Sequence, residues 1–263
     1  MTAGTAQLSL RSSLHTIAAM VRRASNELLR VPGAAIPGIL APTIFFLGLT
    51  AVFGNLTNLP GFDADSYESF LIPVTLMQGA GFTGAATGVN LARDIEQGLF
   101  DRFLASPTPR WVLLTGLVLS ASMRALIPGT VLFMVALATG VEFPGALGLL
   151  IAIAAVMGMA MVASCWAIAI ALRFKTQSAA PLMQSVMLAL ILTTTAYAPQ
   201  ELLTGWLYDA ALINPATHIV EAARQGFIGD VSWAETWPGI VALLGLVALL
   251  AALALRGMRR TAY

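Results

Sequence analysis

The sequence predicts an all-α integral membrane protein. Six transmembrane helices are expected, with an N-terminal amphipathic interfacial helix, a short charged helix between spans two and three, and an extracellular re-entrant helical hairpin between spans five and six. Three observations predict this. Charged residues make up 10% of the 263 residues and hydrophobic residues 58%, whereas a soluble domain carries roughly 25% charge. The mean hydropathy is +0.82. The few basic residues also fall in clusters between apolar runs, each run near the ~20 residues that cross a bilayer. A near-neutral net charge of +1 argues against nucleic acid as a partner, since that reading wants a basic face. One cysteine, Cys165, cannot form an intrachain disulfide and reads as a small packed side chain.

The first segment, about residues 1–32, is a cytoplasmic tail with an amphipathic helix. It has no apolar core of signal-peptide length after an initial basic cluster. Leu10, Leu14, Ile17, Val21 and Leu28 fall near one helical face, and Arg11, Arg22, Arg23 and Glu27 largely elsewhere. Such a helix lies in the headgroup region. Residues 33–255 form the transmembrane domain, with spans at about 33–53, 70–92, 115–139, 146–172, 179–198 and 238–255. Residues 256–263 are a second cytoplasmic tail.

Orientation follows from the basic residues. Arg11, Arg22, Arg23 and Arg30 precede span one; Arg93, Arg102 and Arg110 separate spans two and three. Arg173 and Lys175 separate four and five, and Arg256, Arg259 and Arg260 follow six. With six spans these twelve of fourteen basic residues share one side, and nine acids from Asp63 to Glu235 lie on the other. Both termini are therefore expected in the cytoplasm.

Within span two, Ala80, Gly84 and Gly88 repeat every four residues on one face. Small residues at that spacing let helix backbones approach closely, either inside the bundle or between subunits. Arg124 is the basic residue inside an apolar run. It is a functional candidate by default, with snorkelling to the headgroups or a structural partner as the plainer readings.

Between spans two and three, "RDIEQGLFDRFLASPTPR" holds six of the 27 charged residues. Ile95, Leu99 and Phe103 recur at i, i+4, i+8, joined by Phe100 and Leu104, giving one apolar face of a short helix. Asp94 and Glu96 in the first turn and Arg102 near the end match the helix dipole. Pro107 and Pro109 stop the helix. Residues Pro199 to Trp237 are too long and apolar for an ordinary loop. Asn214 suits an N-cap and Pro215 a first helical residue, while His218, Glu221 and Arg224 line a face at i, i+3, i+6. Each arm is too short to span, so a re-entrant hairpin is expected, its turn covered by protein. Glu221 and Arg224 read as an ion pair fixing the hairpin; substrate contact and proton coupling are the other readings.

The segment "ARDIEQGLFDRFLASPTPR" resembles the ABC-2 permease family, above all the daunorubicin-resistance type of exporter membrane protein. Glu96, Gly98, Arg102 and Pro107 occupy that family's acidic, Gly, basic and Pro positions. "INPATHIVEAARQGFIG" resembles its Asn-Pro helix before the last span through Asn214, Pro215, Glu221 and Arg224. At Ala121 this chain departs from many relatives, which carry an acid three residues before the Arg matching Arg124. The resemblance implies a type V ABC exporter fold in the bacterial inner membrane. It implies a permease subunit that exports a lipophilic or amphiphilic drug, lipid or metabolite. A second permease subunit, identical or homologous, would pair with it in the lipid bilayer, and two separate ABC ATPase subunits would dock on the pair.

Under that resemblance, Arg93, Asp94, Glu96, Gln97, Gly98, Phe100, Arg102, Phe103 and Pro107 form a coupling helix that meets the ATPase. Asn214, Pro215, His218, Glu221 and Arg224 form an extracellular gate hairpin. The chain itself is expected to hold no cofactor or metal and no catalytic site, ATP and Mg being bound by the partner ATPase. Its one lysine, Lys175, sits in "RFKTQS" without the glycines of a phosphate-binding loop. An ion- or proton-coupled secondary transporter is the alternative. Spans one, two, four, five and six lack central acidic or basic residues, which disfavours it. An embedded hydrolase fares worse, because His15 and His218, the two histidines, fall on opposite sides.

Overall fold

Apolar runs become long helices because each backbone polar group must find its partner within its own segment once water is gone. The computed structural model describes residues 13–22, 36–62, 64–100 and 108–260. Among these, regular structure is entirely helical. Helix α1 covers 13–22, α2 Ile36–Phe53, α3 Tyr67–Glu96, α4 Arg110–Ala138 and α5 Gly145–Phe174. They are followed by α6 Ala180–Leu192, α7 Trp206–Ile213, α8 Pro215–Ile228 and α9 Trp233–Arg260. Among the described residues, four segments are long and apolar enough to cross a membrane: Gly38–Asn58, Arg110–Ala138, Gly145–Phe174 and Trp233–Arg260. The chain is thus a multipass membrane protein. One end of the bundle carries Arg93, Arg110, Arg173, Lys175, Arg256, Arg259 and Arg260 and is called the basic end; the other carries α7 and α8.

Helix α3 is the centre. Its 30 residues reach about 45 Å and pack against α2, α4, α5, α6 and α8. Twenty of them are buried, so α3 can carry Gln78, Thr75, Thr87 and several glycines where a lipid-facing helix such as α9 needs Leu and Val. The closest approach is to α5. A Cβ on Gly84 would fall 2.6 Å from the Ala160 carbonyl oxygen and 2.7 Å from the Ala163 Cβ, and one on Gly88 would overlap Ala167. Ala80 is buried in the same core. The every-fourth spacing therefore seats α3 on α5 of the same chain.

Several boundaries differ from those read in the sequence. Span two does not stop near residue 92: α3 runs through Glu96, where Gln97 caps it, and breaks at Gly98, which sits at φ +69°. A left-handed residue is cheap only for glycine. The helical register does not carry across that break, so the i, i+4 pattern from Ile95 to Leu99 is not one face: Ile95 and Phe100 pack inward and Leu99 is exposed. Helix α4 starts at Arg110 rather than near 115, and α9 extends to Trp233 and Arg260 beyond the apolar stretch, since polar ends still complete helical hydrogen bonds. Span five, expected over 179–198, is helical only to Leu192. Thr193 to Ala198 are unwound, and their backbone is satisfied from elsewhere in the fold. In α1, Ile17 is buried, and Met20 lies over Gly116 of α4, while Leu14 is exposed. The helix thus contacts α4 along a line rotated from the single face read in the sequence. Arg11, Arg23, Arg30, Asp63, Arg102, Phe103 and Pro107 lie outside the described residues.

Candidate functional site

Two constellations bring distant segments together, one at each end of the bundle. The first is built on the hairpin α7–α8. Asn214 stands between the two arms with extended backbone; its Oδ1 accepts from Ala216 N at 2.9 Å, and Pro215 opens α8. The same side chain also reaches the end of α6: Asn214 Nδ2 donates to Leu190 O at 2.7 Å and to Thr193 Oγ1 at 2.9 Å. One residue therefore caps α8 and serves the carbonyl groups freed where α6 stops.

Arg224, ten residues further along α8, is 1% exposed. Its Nη2 donates to Thr195 O at 2.8 Å and its Nε to Phe70 O at 3.1 Å. Its Nη1 pairs with Glu221 Oε1 at 2.8 Å. The guanidinium lies 3.7 Å from the Phe70 ring centroid, a favourable place for a planar cation. Glu221, 39% exposed at its side chain, also accepts from the Thr195 hydroxyl. Tyr67 Oη donates to Tyr197 O at 3.1 Å. The unwound 193–198 stretch is thus held by Arg224, Asn214 and Tyr67, which is how non-helical backbone survives away from water. Of the face read at i, i+3, i+6, Arg224 points inward, Glu221 is half-buried and His218 is exposed. Spacing alone missed Gln225. Its Nε2 donates to Thr236 Oγ1 at 2.6 Å, and its Oε1 accepts from Ser232 N at 2.7 Å, pinning α8 to the start of α9.

The second constellation is at the basic end. Glu96 Oε1 accepts from Thr176 Oγ1 at 2.7 Å and from Gln177 N at 3.0 Å; Oε2 accepts from Gln177 Nε2 at 2.7 Å. Arg93 Nε donates to Gln177 Oε1 at 3.4 Å. Hydrogen bonds from the Gln177 side chain, then the Thr176 hydroxyl and the Gln177 backbone amide, hold the exposed Glu96 carboxyl below the usual carboxylate range. The end of α3 is therefore clasped to the turn that leads from α5 into α6. Of the residues singled out in the sequence, Arg93 and Glu96 meet here. Gln97 caps α3, Gly98 breaks it, and Phe100 is buried in the apolar cluster that also holds Leu114 and Met258. Thr176 and Gln177 carried no sequence signal, because nothing in "RFKTQS" specifies a partner some 80 positions away. Between the two ends, Arg124 Nη2 donates to Thr87 Oγ1 at 2.7 Å and its Nε to Ser120 O at 3.3 Å, a structural partner within the bundle.

Residues 15–228 match the family profile described as ABC-2 type transporter. The chain belongs to this family. Within it, the chain is 28% identical over 251 residues to the daunorubicin resistance ABC transporter permease protein DrrB1 of Streptomyces coeruleorubidus, covering 89% of this chain and 82% of that protein. It is 27% identical over 183 residues to the probable multidrug ABC transporter permease YbhR of Escherichia coli K12, covering 66% of this chain. The putative transport permease ycf38 of Cyanophora paradoxa is 25% identical over 215 residues, with 78% and 71% covered. The chain spans about half the length, 49%, of the Escherichia coli relative. The ABC-2 match takes in most of α1 and all of α2 to α8, so Arg224 and Glu96 fall with their hydrogen-bond partners inside the family's shared region.

Proposed function

We propose that this chain is the membrane-spanning permease subunit of an ATP-binding cassette exporter. It moves a lipophilic or amphiphilic compound, such as a drug, lipid or secondary metabolite, by alternating access. The observation that carries the reading is the ABC-2 match over residues 15–228. The drug-resistance and multidrug names of the DrrB1 and YbhR relatives support the cargo class. In this family reading ATP and Mg are held by separate ATPase subunits, two per complex, docked on a pair of permease chains.

In this reading the membrane holds six crossings: α2, α3, α4, α5, α6 and α9, with α6 continued by the unwound stretch and α7–α8 re-entering from outside. Both termini are cytoplasmic, in the bacterial inner membrane, and the basic end faces the ATPase. The segment from Arg93 to Pro107 receives the ATPase. The Glu96 clasp spreads a push there from α3 to the α5–α6 turn. Because Gly84 and Gly88 seat α3 on α5 without side chains between them, the two helices move as one body. At the far end, Phe70 O and the unwound backbone are both held by Arg224. Tilting α3 therefore displaces the hairpin, which acts as the external gate.

The test is purification from native membranes followed by transport in inverted vesicles. An ATPase subunit should copurify, and cargo uptake should require ATP hydrolysis. Transport by the chain alone, driven by a proton gradient, would favour a secondary transporter and end this reading.

A further inference from the structure

The basic end contains a second feature, apart from the Glu96 clasp. Between the last turns of α5 and α9 lies a cavity of about 450 Å³ rimmed by Arg173, Lys175, Arg256 and Arg260. Ala169, Leu172, Leu253 and Gly257 complete its lining. All four cations are exposed, and none makes a hydrogen bond or ion pair with another described residue. Four like charges around one cavity repel one another. Helix-dipole compensation does not account for them all, because Arg110 Nη1 already donates to the Met258 carbonyl at the end of α9.

We propose that this cavity binds the headgroup of an anionic phospholipid, the phosphate seated among the four cations and an acyl chain running along the α5–α9 seam. The apolar surroundings favour a lipid over an acidic protein surface. Phe174 is 52% exposed and Leu253 43% exposed beside the rim. Exposed apolar side chains next to basic ones mark the boundary between hydrocarbon and headgroup. Basic pockets between membrane helices hold lipid phosphates through charge and retain the chain through apolar contact. The inference rests on the membrane placement of α5 and α9 and not on transport or on an ATPase.

The experiment uses the full chain in detergent, exchanged into nanodiscs of phosphatidylcholine with or without phosphatidylglycerol. Bound lipid is counted by native mass spectrometry. The wild type should retain phosphatidylglycerol selectively. The Arg173→Gln and Arg256→Gln variants should each lose about fivefold in retention, and the double variant about 25-fold. Arg256→Lys should recover most of it, and Arg259→Gln, outside the cavity, should change little. The substituted side chains are exposed, and a wild-type elution profile for each variant establishes that it is folded. Competition separates the sources of the phosphate. If inorganic phosphate at equal concentration displaces the lipid, the site is a free-anion site and the proposal fails. It fails equally if the double variant retains phosphatidylglycerol as the wild type does, or if the four cations are protected only when an ATPase subunit is bound.

Discussion

Arg224 and Glu96 do the same topological job at opposite ends of α3, and their surroundings make them unequal. Each joins α3 to backbone far away in sequence. Arg224 does so inside the bundle, where Phe70 O, Thr195 O and Glu221 use its donors and no water can replace it. Glu96 does so at the exposed end, where Thr176 and Gln177 donate to it in competition with solvent. A buried charge that is fully satisfied fixes one arrangement, and its loss leaves stranded partners. An exposed clasp can open and close at little cost. The buried end is therefore suited to hold its shape, and the exposed basic end can open.

The largest effect is expected at the buried end. Arg224→Met strands Glu221 and the unwound carbonyls and should cost about 3–5 kcal/mol, read as a lower thermal midpoint in detergent or failure to accumulate. Arg224→Lys should recover only part, since an ammonium lacks the fork. If Arg224→Met unfolds no more easily than Glu96→Gln, the contrast between the ends collapses. Next comes the link between them. Gly88→Val places a side chain into Ala167 and should cost about 1–3 kcal/mol by overpacking; in vesicles it should reduce transport more than ATPase docking. Asn214→Ala removes the α8 cap and the bond to Leu190 O, at about 0.5–2 kcal/mol, seen as faster amide exchange in the first turn of α8 and around Thr193.

The smallest effect on folding is expected from Glu96→Gln, with a larger one on coupling between ATP hydrolysis and cargo movement. Acid gives an independent handle on the same clasp. The Glu96 carboxyl titrates below its unfolded value, so the clasp is complete above the ordinary carboxylate range and is lost as pH falls through the lowered value. The Gln177 backbone amide, which donates to Glu96 Oε1, should therefore be protected from hydrogen exchange at neutral pH and lose that protection in acid. In Glu96→Gln its protection factor should not depend on pH; an acid opening that survives the substitution would assign the transition to another group.

Much of this was legible in the chain. The apolar runs, the every-fourth small residues at Ala80, Gly84 and Gly88, the Asn-Pro opening of α8 and the Glu221–Arg224 spacing are local patterns, and local patterns determine local structure. The break at Gly98 was harder to read. Glycine permits a left-handed turn but does not require one, and the apolar spacing from Ile95 to Leu99 looked continuous. The stop of α6 at Leu192 was illegible for a different reason. "TTTAYA" is apolar enough to continue a helix, and it unwinds where Arg224, Asn214 and Tyr67, all distant in sequence, supply its hydrogen bonds.

The sequence by itself determined the solvent, the helical class and the separation of basic from acidic ends, because hydropathy and charge act residue by residue. Only the tertiary structure decided which carbonyls Arg224 would satisfy, that Glu96 would clasp Thr176 and Gln177, and that four cations would surround one cavity. Those outcomes depend on which surfaces meet, and hydrogen bonds and charges act only over the few ångströms that packing sets.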